Sequence, residues 1–570
     1  MRVAIISFLD GSRERLASDL VMLIILATLS VVPYVFRLGF YSDDWAILSM
    51  LVNSPDHSLS SLFASQYADD NMRVRPTQIV YQAVLFKAFG LRPVGYHLVN
   101  AAVLASVVLL LYSNLREIGL PRTVARALST VYLLLPNYST DRFWFVTFSY
   151  VLTAALFLLG TYAALRALRS DRFVLWFAFA LLALTASLLG MEVFLPFTMA
   201  IPFGLWLQRR RLSAAGLGVH PGTLQTFAFV GALLVIVASI VSYKAANAVG
   251  VMSPDLPYLV RLAAGSVAVN FGTFGIALPH TFAWSLRQLP LAALVWPCLI
   301  GTIVFLWLIR GEAPPRALRF WILLVVAGCV AFSLATAIFI TTRRVGFSST
   351  GIGNRVWLAA ALGAAAVWAG AAGWLTSAMS SRLHRRLFPA LIAMLCAAGV
   401  TTNVALSAYW VNAWPRQLEI LDNMQRVLPR PRSGTTLILY GACRYLGPAI
   451  VFESSWDFAG ARKVLYRDST LAGDVVDDSR PDHFGITEEG LWTRLYGDKR
   501  SYRFGPDLLL FDDRAREVRP LVDRASAVTA LSKPSGCPRG VEGHGTLFLP
   551  VDTWYVNTFE RWRLETQPQK

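Results

Sequence analysis

The sequence predicts a polytopic α-helical membrane protein of about eleven transmembrane helices that ends in a soluble domain. Three observations carry that prediction. Of the 570 residues 55% are hydrophobic and only 15% are charged. Apolar runs of span length recur from residue 20 to about residue 410, and beyond Asn412 they shrink to strand length while charges and glycines become frequent. Crossing roughly 30 Å of hydrocarbon takes about 20 apolar residues, and each span must pair its own backbone polar groups, so these runs read as helices.

In chain order, residues 1–19, with Arg13 and Arg15, form a cytoplasmic N-terminus ahead of an uncleaved signal anchor. Spans are expected at 20–38, 95–115, 123–136, 147–166, 173–189, 193–208, 225–243, 289–309, 320–341, 355–378 and 387–409. The first external loop, 39–94, contains "TQIVYQAVLFKAFG", Thr77 to Gly90, which is interrupted by Gln78, Gln82 and Lys87 and suits an interfacial helix. With that segment left out of the count, the clusters at Arg116, Arg122 and Arg126, at Arg166, Arg169 and Arg172, at Arg209 to Arg211, at Arg310, Arg316 and Arg319, and at Arg382, Arg385 and Arg386 all share the side of the N-terminus. That is what the positive-inside rule requires, whereas a twelve-span count would put them outside. Much of the net charge of +17 lies in these loops, where it reports topology rather than a nucleic-acid partner.

Residues 411–570 are expected to form an external, periplasmic soluble domain, α/β or mostly β, with strands at "TTLILYG", "DLLLFD" and "GTLFLP". Its Trp456, Trp492, Trp554 and Trp562 could bind glycan or fill a core. Cys443 and Cys537 could form one disulfide if this domain lies outside the cytoplasm, while Cys298, Cys329 and Cys396 fall in apolar runs as packing residues.

The span assignment gathers isolated polar residues on the external face. In "GFYSDDWAIL", Asp43 and Asp44 sit at the membrane boundary. Adjacent, partly buried acids repel each other, which raises a pKa as a general base needs; they could also help hold a divalent cation, or merely mark a polar helix exit. Arg73 and Arg75 in "NMRVRPTQ" present the planar fork that matches phosphate oxygens, or simply hold lipid headgroups. Glu192 in "LLGMEVFLP" is a lone acid between two apolar runs, a functional candidate or a turn residue. "PNYSTDRFWFVTFSY" offers Asp141 and Arg142 as an ion pair and Trp144 as a floor for a sugar. "TTRRVGFSSTGIGNRVW" offers Arg343, Arg344, Asn354 and Arg355 beside a glycine-containing loop at the start of a span, where a phosphate could bind. His57 lies on the same face. No P-loop, GxSxG, HExxH or nucleotide-binding glycine fingerprint occurs in these regions, which disfavours a transport ATPase.

The order of these features resembles the integral-membrane glycosyltransferases of the GT-C superfamily over roughly residues 20 to 410. "FYSDDWAIL" looks like their first-loop acidic motif, and "RPTQIVYQAVLFKAFGLRPVGYHLVNAAVLA" is similar to the following stretch in protein O-mannosyltransferases and in the aminoarabinose transferases that modify lipid A. "LLGMEVFLP" resembles their "KE" segment with Met191 in place of lysine, and "GNRVWLAAALG" their "ER" segment with Asn354 in place of the acid.

The resemblance implies transfer of a sugar from a polyprenyl-phosphate carrier to a glycan, lipid or protein acceptor at the external side of the membrane, with inversion; the Arg-rich loops and the lack of eukaryotic retention signals point to a bacterial inner membrane. It implies Asp43 as general base with Asp44 as partner or substitute, Glu192 as the second acid, and arginines on the lipid phosphate. No nucleotide or redox cofactor is required, and a divalent metal stays open. Two rivals remain: an O-antigen ligase or polymerase, for which the Thr341–Arg355 loop speaks, and a lipid-linked sugar transporter, which would line a mid-membrane path with polar residues.

Overall fold

The computed structural model describes residues 2–216, 218–247, 255–341, 348–478, 483–495, 498–534 and 536–537. Among them nine helices are long and apolar enough to cross a membrane: Pro93–Glu117, Phe145–Ala167, Phe173–Gly190, Thr223–Asn247, Leu256–Ile276, Leu291–Ile309, Leu318–Ile340, Ala360–Ser377 and Ser381–Val427. All but Leu256–Ile276 answer to expected spans. The other three expected spans are weaker by length or composition. The first is the apolar stretch Leu16–Val31, followed by turns rather than helix to residue 37. The second, Arg122–Leu134, has 13 residues and is buried throughout from Thr123 to Leu134, so it meets helices where a longer span would meet lipid. The third, Leu195–Ala214, carries Gln208 and three arginines in its last turns. Length and composition therefore do not give the expected count of eleven.

Leu256–Ile276 escapes a reading of apolar runs because Pro257, Arg261 and Asn270 interrupt it. It starts beside the end of Leu318–Ile340, where the Tyr258 hydroxyl donates to the Phe339 carbonyl at 2.6 Å. The following helix Leu278–Gln288 returns along the long helix Ser381–Val427, with Ser285 donating to Thr402 at 3.3 Å. The next span then runs from Trp296, which donates to the Leu29 carbonyl, to Trp307, which stacks under Arg126. The pair thus enters and leaves on one face, and the alternation of the remaining loops is unchanged.

Contacts sort the loops into two faces. On one, Asp19 is buried between Arg122 and Arg126, Arg169 meets Glu117 at 3.1 Å, Arg211 donates to the Ile118 carbonyl, Thr123 reaches the Glu312 carbonyl, and Arg316 donates to Ser381. The arginine-bearing loops of the sequence analysis therefore lie together. The opposite face holds Asp43, Asp141, Glu192 and Asn354.

The soluble domain is α/β. Its main sheet runs in the order Ala472–Val475, Thr436–Tyr440, Leu508–Asp512, Glu517–Pro520, the first three parallel and the last antiparallel. Parallel strands are covered on both faces and so read as unbroken apolar runs, as "TLILY" and "LLLF" do. A second, antiparallel sheet joins Phe484–Ile486, Gly490–Leu495 and Asp498–Arg503. The long helix extends 47 residues without a break past the expected boundary at 411, and its Arg416 and Asn423 bind Asp513 of the domain. Helix Ser455–Tyr466 covers the main sheet and also packs on the helix Asp43–Val52; a Cβ at Gly460 would lie 2.6 Å from the Trp45 carbonyl. "GTLFLP", Trp554 and Trp562 fall outside the described residues. Trp456 is half-buried beside Ser42, and Trp492 is half-buried with the Lys499 ammonium 4.8 Å from its ring, so neither is a core residue.

Cys443 and Cys537 are bridged, with Cα atoms 5.3 Å apart, closing a loop of sequence separation 94. In intact cells these two thiols should become alkylatable only after reduction. Cys443→Ser should lower the protease resistance of the soluble domain by an amount on the order of 2–4 kcal/mol.

Candidate active site

The site starts where the chain leaves its first apolar helix and turns sharply at Tyr41–Asp44. The turn closes with the Asp44 N–H on the Tyr41 carbonyl at 3.0 Å. The Asp44 carboxylate is fully buried, and its two oxygens accept the backbone N–H groups of Tyr41 and Val146, each at 2.8 Å. Asp44 therefore ties the first loop to the loop after Arg122–Leu134. It is a staple, and both oxygens are committed. Asp43, one residue earlier at the start of helix Asp43–Val52, makes no hydrogen bond or ion pair among the described residues. Burial pushes its carboxyl up, against the pull of Arg355 and Arg75. The acidic pair thus divides into a structural member and a free one.

Arg75 precedes the interfacial helix Pro76–Phe89, which forms as expected and whose first-turn proline suits a position with no N–H to satisfy. Its Nε is buried without a partner. Glu192 follows the helix Phe173–Gly190 and meets Lys244, from the end of Thr223–Asn247, at 2.8 Å. Burial would raise the Glu192 carboxyl, but Lys244 and Arg75 hold it below its ordinary value. Its side chain still keeps 34% of its surface accessible. Arg355 lies with its guanidinium carbon 5.0 Å over the Trp144 ring, in electrostatic reach of Asp43 and Asp141. Tyr150 is reached by Arg355, Arg75, Asp141 and Glu192 together, which marks the middle of the cluster.

Neither Arg75 nor Arg355 is spent in an ion pair among the described residues. Two unspent guanidinium groups beside an unbonded carboxylate can hold a phosphate-like anion next to a proton acceptor.

Behind this cluster lies a buried polar layer. The Asn354 side chain donates to the carbonyls of Asn137 (2.9 Å) and Ser349 (2.8 Å), while its oxygen accepts from the Thr140 N–H (2.9 Å) and the Ser139 hydroxyl (3.1 Å). Thr140 returns a bond to the Gly351 carbonyl at 2.7 Å. An acid at this position would have no donors for the two carbonyls, which explains the amide. Asn354 therefore aligns its neighbour Arg355 and leaves nothing for a substrate. Asp141 is fully buried, with no hydrogen bond to either oxygen; the nearby Thr147 hydroxyl points to the Trp144 carbonyl instead, at 2.7 Å. Burial pushes the Asp141 carboxyl well above the usual range.

Several expected site residues take other roles. Arg142 makes no ion pair with Asp141; it lies over the Tyr138 ring and donates to the Leu133 carbonyl. Trp144 is no sugar floor, because Arg355 covers its ring and its indole N–H is on the Tyr41 carbonyl at 2.8 Å. Arg73 turns outward to Asp70 at 3.1 Å, and His57 is exposed against the Val52 carbonyl. Arg343 and Arg344 fall outside the described residues. The sequence analysis misses Lys244 and Tyr150. A lysine at the end of an otherwise apolar run was the available signal for the first, since such a charge is costly without a partner.

The fold and the cluster define a polytopic helical membrane protein with an acid-and-arginine site at one membrane face. No protein-family profile matches the chain, and no curated protein does. The solved structures similar to it include two of one protein, both at low sequence identity. One is ArnT from Cupriavidus metallidurans in the apo state, with TM-score 0.36, 14% identity, and 80% of this chain and 85% of that chain covered. The other is the same protein bound to undecaprenyl phosphate, with TM-score 0.37, 14% identity, and 79% and 84% covered.

Two substitutions test the layer. Asn354→Asp sets a carboxylate against two carbonyls and should cost about 2–4 kcal/mol, read as a fall in melting temperature in detergent. Asp141→Asn should stabilise. The folded state holds the Asp141 proton to a higher pH than the unfolded chain does, so wild type loses stability as pH rises from about 4 through the raised folded value. The gain from Asp141→Asn should thus be present at neutral pH and vanish near pH 4.

Proposed function

We propose that the protein is a glycosyltransferase that moves a sugar from a polyprenyl-phosphate donor to an acceptor at the Asp43 face. The observation that carries this reading is the unbonded Asp43 carboxylate between the fields of Arg355 and Arg75, beside an Asp44 whose oxygens are both taken. Asp43 removes the proton of an acceptor hydroxyl, whose oxygen attacks the anomeric carbon. The bond from that carbon to the phosphate oxygen breaks, and the electron pair leaves with the lipid phosphate. Arg75 and Arg355 stabilise the charge that builds there. A single displacement of this kind inverts the anomeric centre. Glu192 and Lys244 lie within electrostatic reach of Arg75; the ion pair fixes the local charge, and Lys244 supplies the cation that Met191 lacks in the "KE"-like segment.

The donor is already activated, so the reading needs no nucleotide or redox cofactor. A divalent cation at the Asp43–Asp44 pair would meet an unbonded Asp43 carboxylate and Asp44 oxygens that each already accept one backbone N–H. Among the described residues no three His, Cys, Asp or Glu side chains gather to hold an ion. In this reading the Asp43 face is external, in a bacterial inner membrane. Two features support that placement: the arginine loops on the opposite face, and the Cys443–Cys537 bridge, which fits an oxidising compartment. The rival ligase and transporter readings leave the division of labour between Asp43 and Asp44 without a purpose.

The test is turnover of lipid-linked sugar in membranes with matched protein levels. Asp43→Asn should lower turnover by roughly 10²–10⁴-fold and let the lipid-linked donor accumulate, with the missing glycan residue naming the sugar. Wild-type turnover should rise with pH as Asp43 loses its proton, with the acid limb above the ordinary carboxylate range. Arg75→Ala and Arg355→Ala should each cost about 10²-fold or more, against a few-fold for Arg73→Ala. An unchanged Asp43→Asn protein would move the ligase or transporter reading ahead.

A further inference from the structure

We propose that the soluble domain sets the position of Asp43, and that Glu453, acting through Ser42, is the positioning residue. The inference rests on the reading of Asp43 as the reacting carboxylate. Ser42 and Asp43 are the two central residues of the Tyr41–Asp44 turn. Ser42 has φ 45° and ψ −121°, the first central position of a type II′ turn, where glycine is the natural residue because a Cβ is strained there. Something outside the turn must therefore hold Ser42 in place.

The Ser42 side chain takes its support from the far end of the chain. The Ser42 side chain is fully buried, and its hydroxyl donates to Glu453 Oε1 at 2.5 Å while accepting from the Trp456 indole N–H at 3.4 Å. The other Glu453 oxygen accepts from the Tyr445 hydroxyl at 2.8 Å, and the Glu453 backbone N–H is held by Asp457 at 2.6 Å. Glu453 is itself only 2% exposed. The close seat of Gly460 on Trp45 fixes the same domain against the helix that Asp43 starts. A bond from Glu453 thus holds a strained backbone one residue from the carboxylate, and domain docking becomes a condition for Asp43 to point into the cluster.

The strain supplies its own control. Glycine adopts this turn position unaided, so Ser42→Gly should make the bond from Glu453 dispensable. The first measurement is independent of any reaction: the labelling rate of a thiol at position 43, placed by Asp43→Cys in full-length protein in membranes and resolved by peptide mass spectrometry. Adding Glu453→Ala should change that rate about threefold or more, and adding Ser42→Gly to the pair should restore it. In the parent carrying Asp43, Glu453→Ala should lower lipid-linked sugar turnover by about tenfold or more, and Ser42→Gly/Glu453→Ala should recover most of it.

Should Glu453→Ala not accumulate, Ser42→Ala and Tyr445→Phe weaken the same link with the fold intact. Each should shift the labelling rate in the same direction as Glu453→Ala. A labelling rate indifferent to all three, or a loss that Ser42→Gly leaves unrepaired, overturns the positioning role. A shifted and rescued labelling rate in a protein that turns over no lipid-linked sugar keeps the positioning role and discards the transferase reading instead.

Discussion

Two backbone N–H groups on one buried carboxylate hold the functional end of this protein together. Asp44 accepts from Tyr41 in its own turn and from Val146 across the bundle. A carboxylate without water is tolerated only when its lone pairs are satisfied, so this pairing fixes the separation of two loops that are far apart in sequence. On one side of the staple stands Asp43. On the other stands Trp144, whose indole returns a bond to the Tyr41 carbonyl and whose ring carries Arg355. Asp43 and Arg355 thereby meet at one joint, which the soluble domain also reaches through Ser42.

The rest of the face repeats this economy of charge. Glu192 and Lys244 neutralise each other where neither could be left alone, and in doing so surround Arg75 with opposed charges that leave its own fork unspent. Asn354 satisfies four backbone and side-chain groups with one amide, so the loop carrying Arg355 is anchored without a further charge. At the opposite face Asp19 does the same work with Arg122, Arg126 and Tyr112. On the Asp43 face, Asp43, Arg75 and Arg355 stand outside any ion pair among the described residues, as do the buried Asp141 and Arg142 behind them.

The soluble domain belongs to this scheme. The long helix passes without interruption from the bundle into the domain, and the helix Ser455–Tyr466 returns to rest on the acidic helix. The domain is therefore continuous with the site rather than tethered beside it. Its strained contact at Ser42 is the kind of local conflict between backbone preference and tertiary position that collects at functional sites.

Much of this was legible in the sequence. Apolar run length and arginine spacing identify the helical membrane class, the interfacial helix at Thr77–Gly90 and the shared face of the charged loops, because both signals depend on transfer free energies that act residue by residue. One span, Leu256–Ile276, was not legible, and the span expected at 123–136 is shorter than a membrane crossing. Leu256–Ile276 is broken by polar residues, and Arg122–Leu134 has 13 residues and is buried among neighbouring helices. The chain likewise named Asp43, Asp44, Glu192, Arg75 and Arg355 as candidates by their isolation in apolar surroundings. It could not say which of two adjacent aspartates is free, that Arg142 and Trp144 are structural, or that Lys244 answers Glu192. Apart from Arg142, whose partners Tyr138 and Leu133 are close in sequence, those roles are set by partners tens to hundreds of residues away, where packing geometry decides which groups meet.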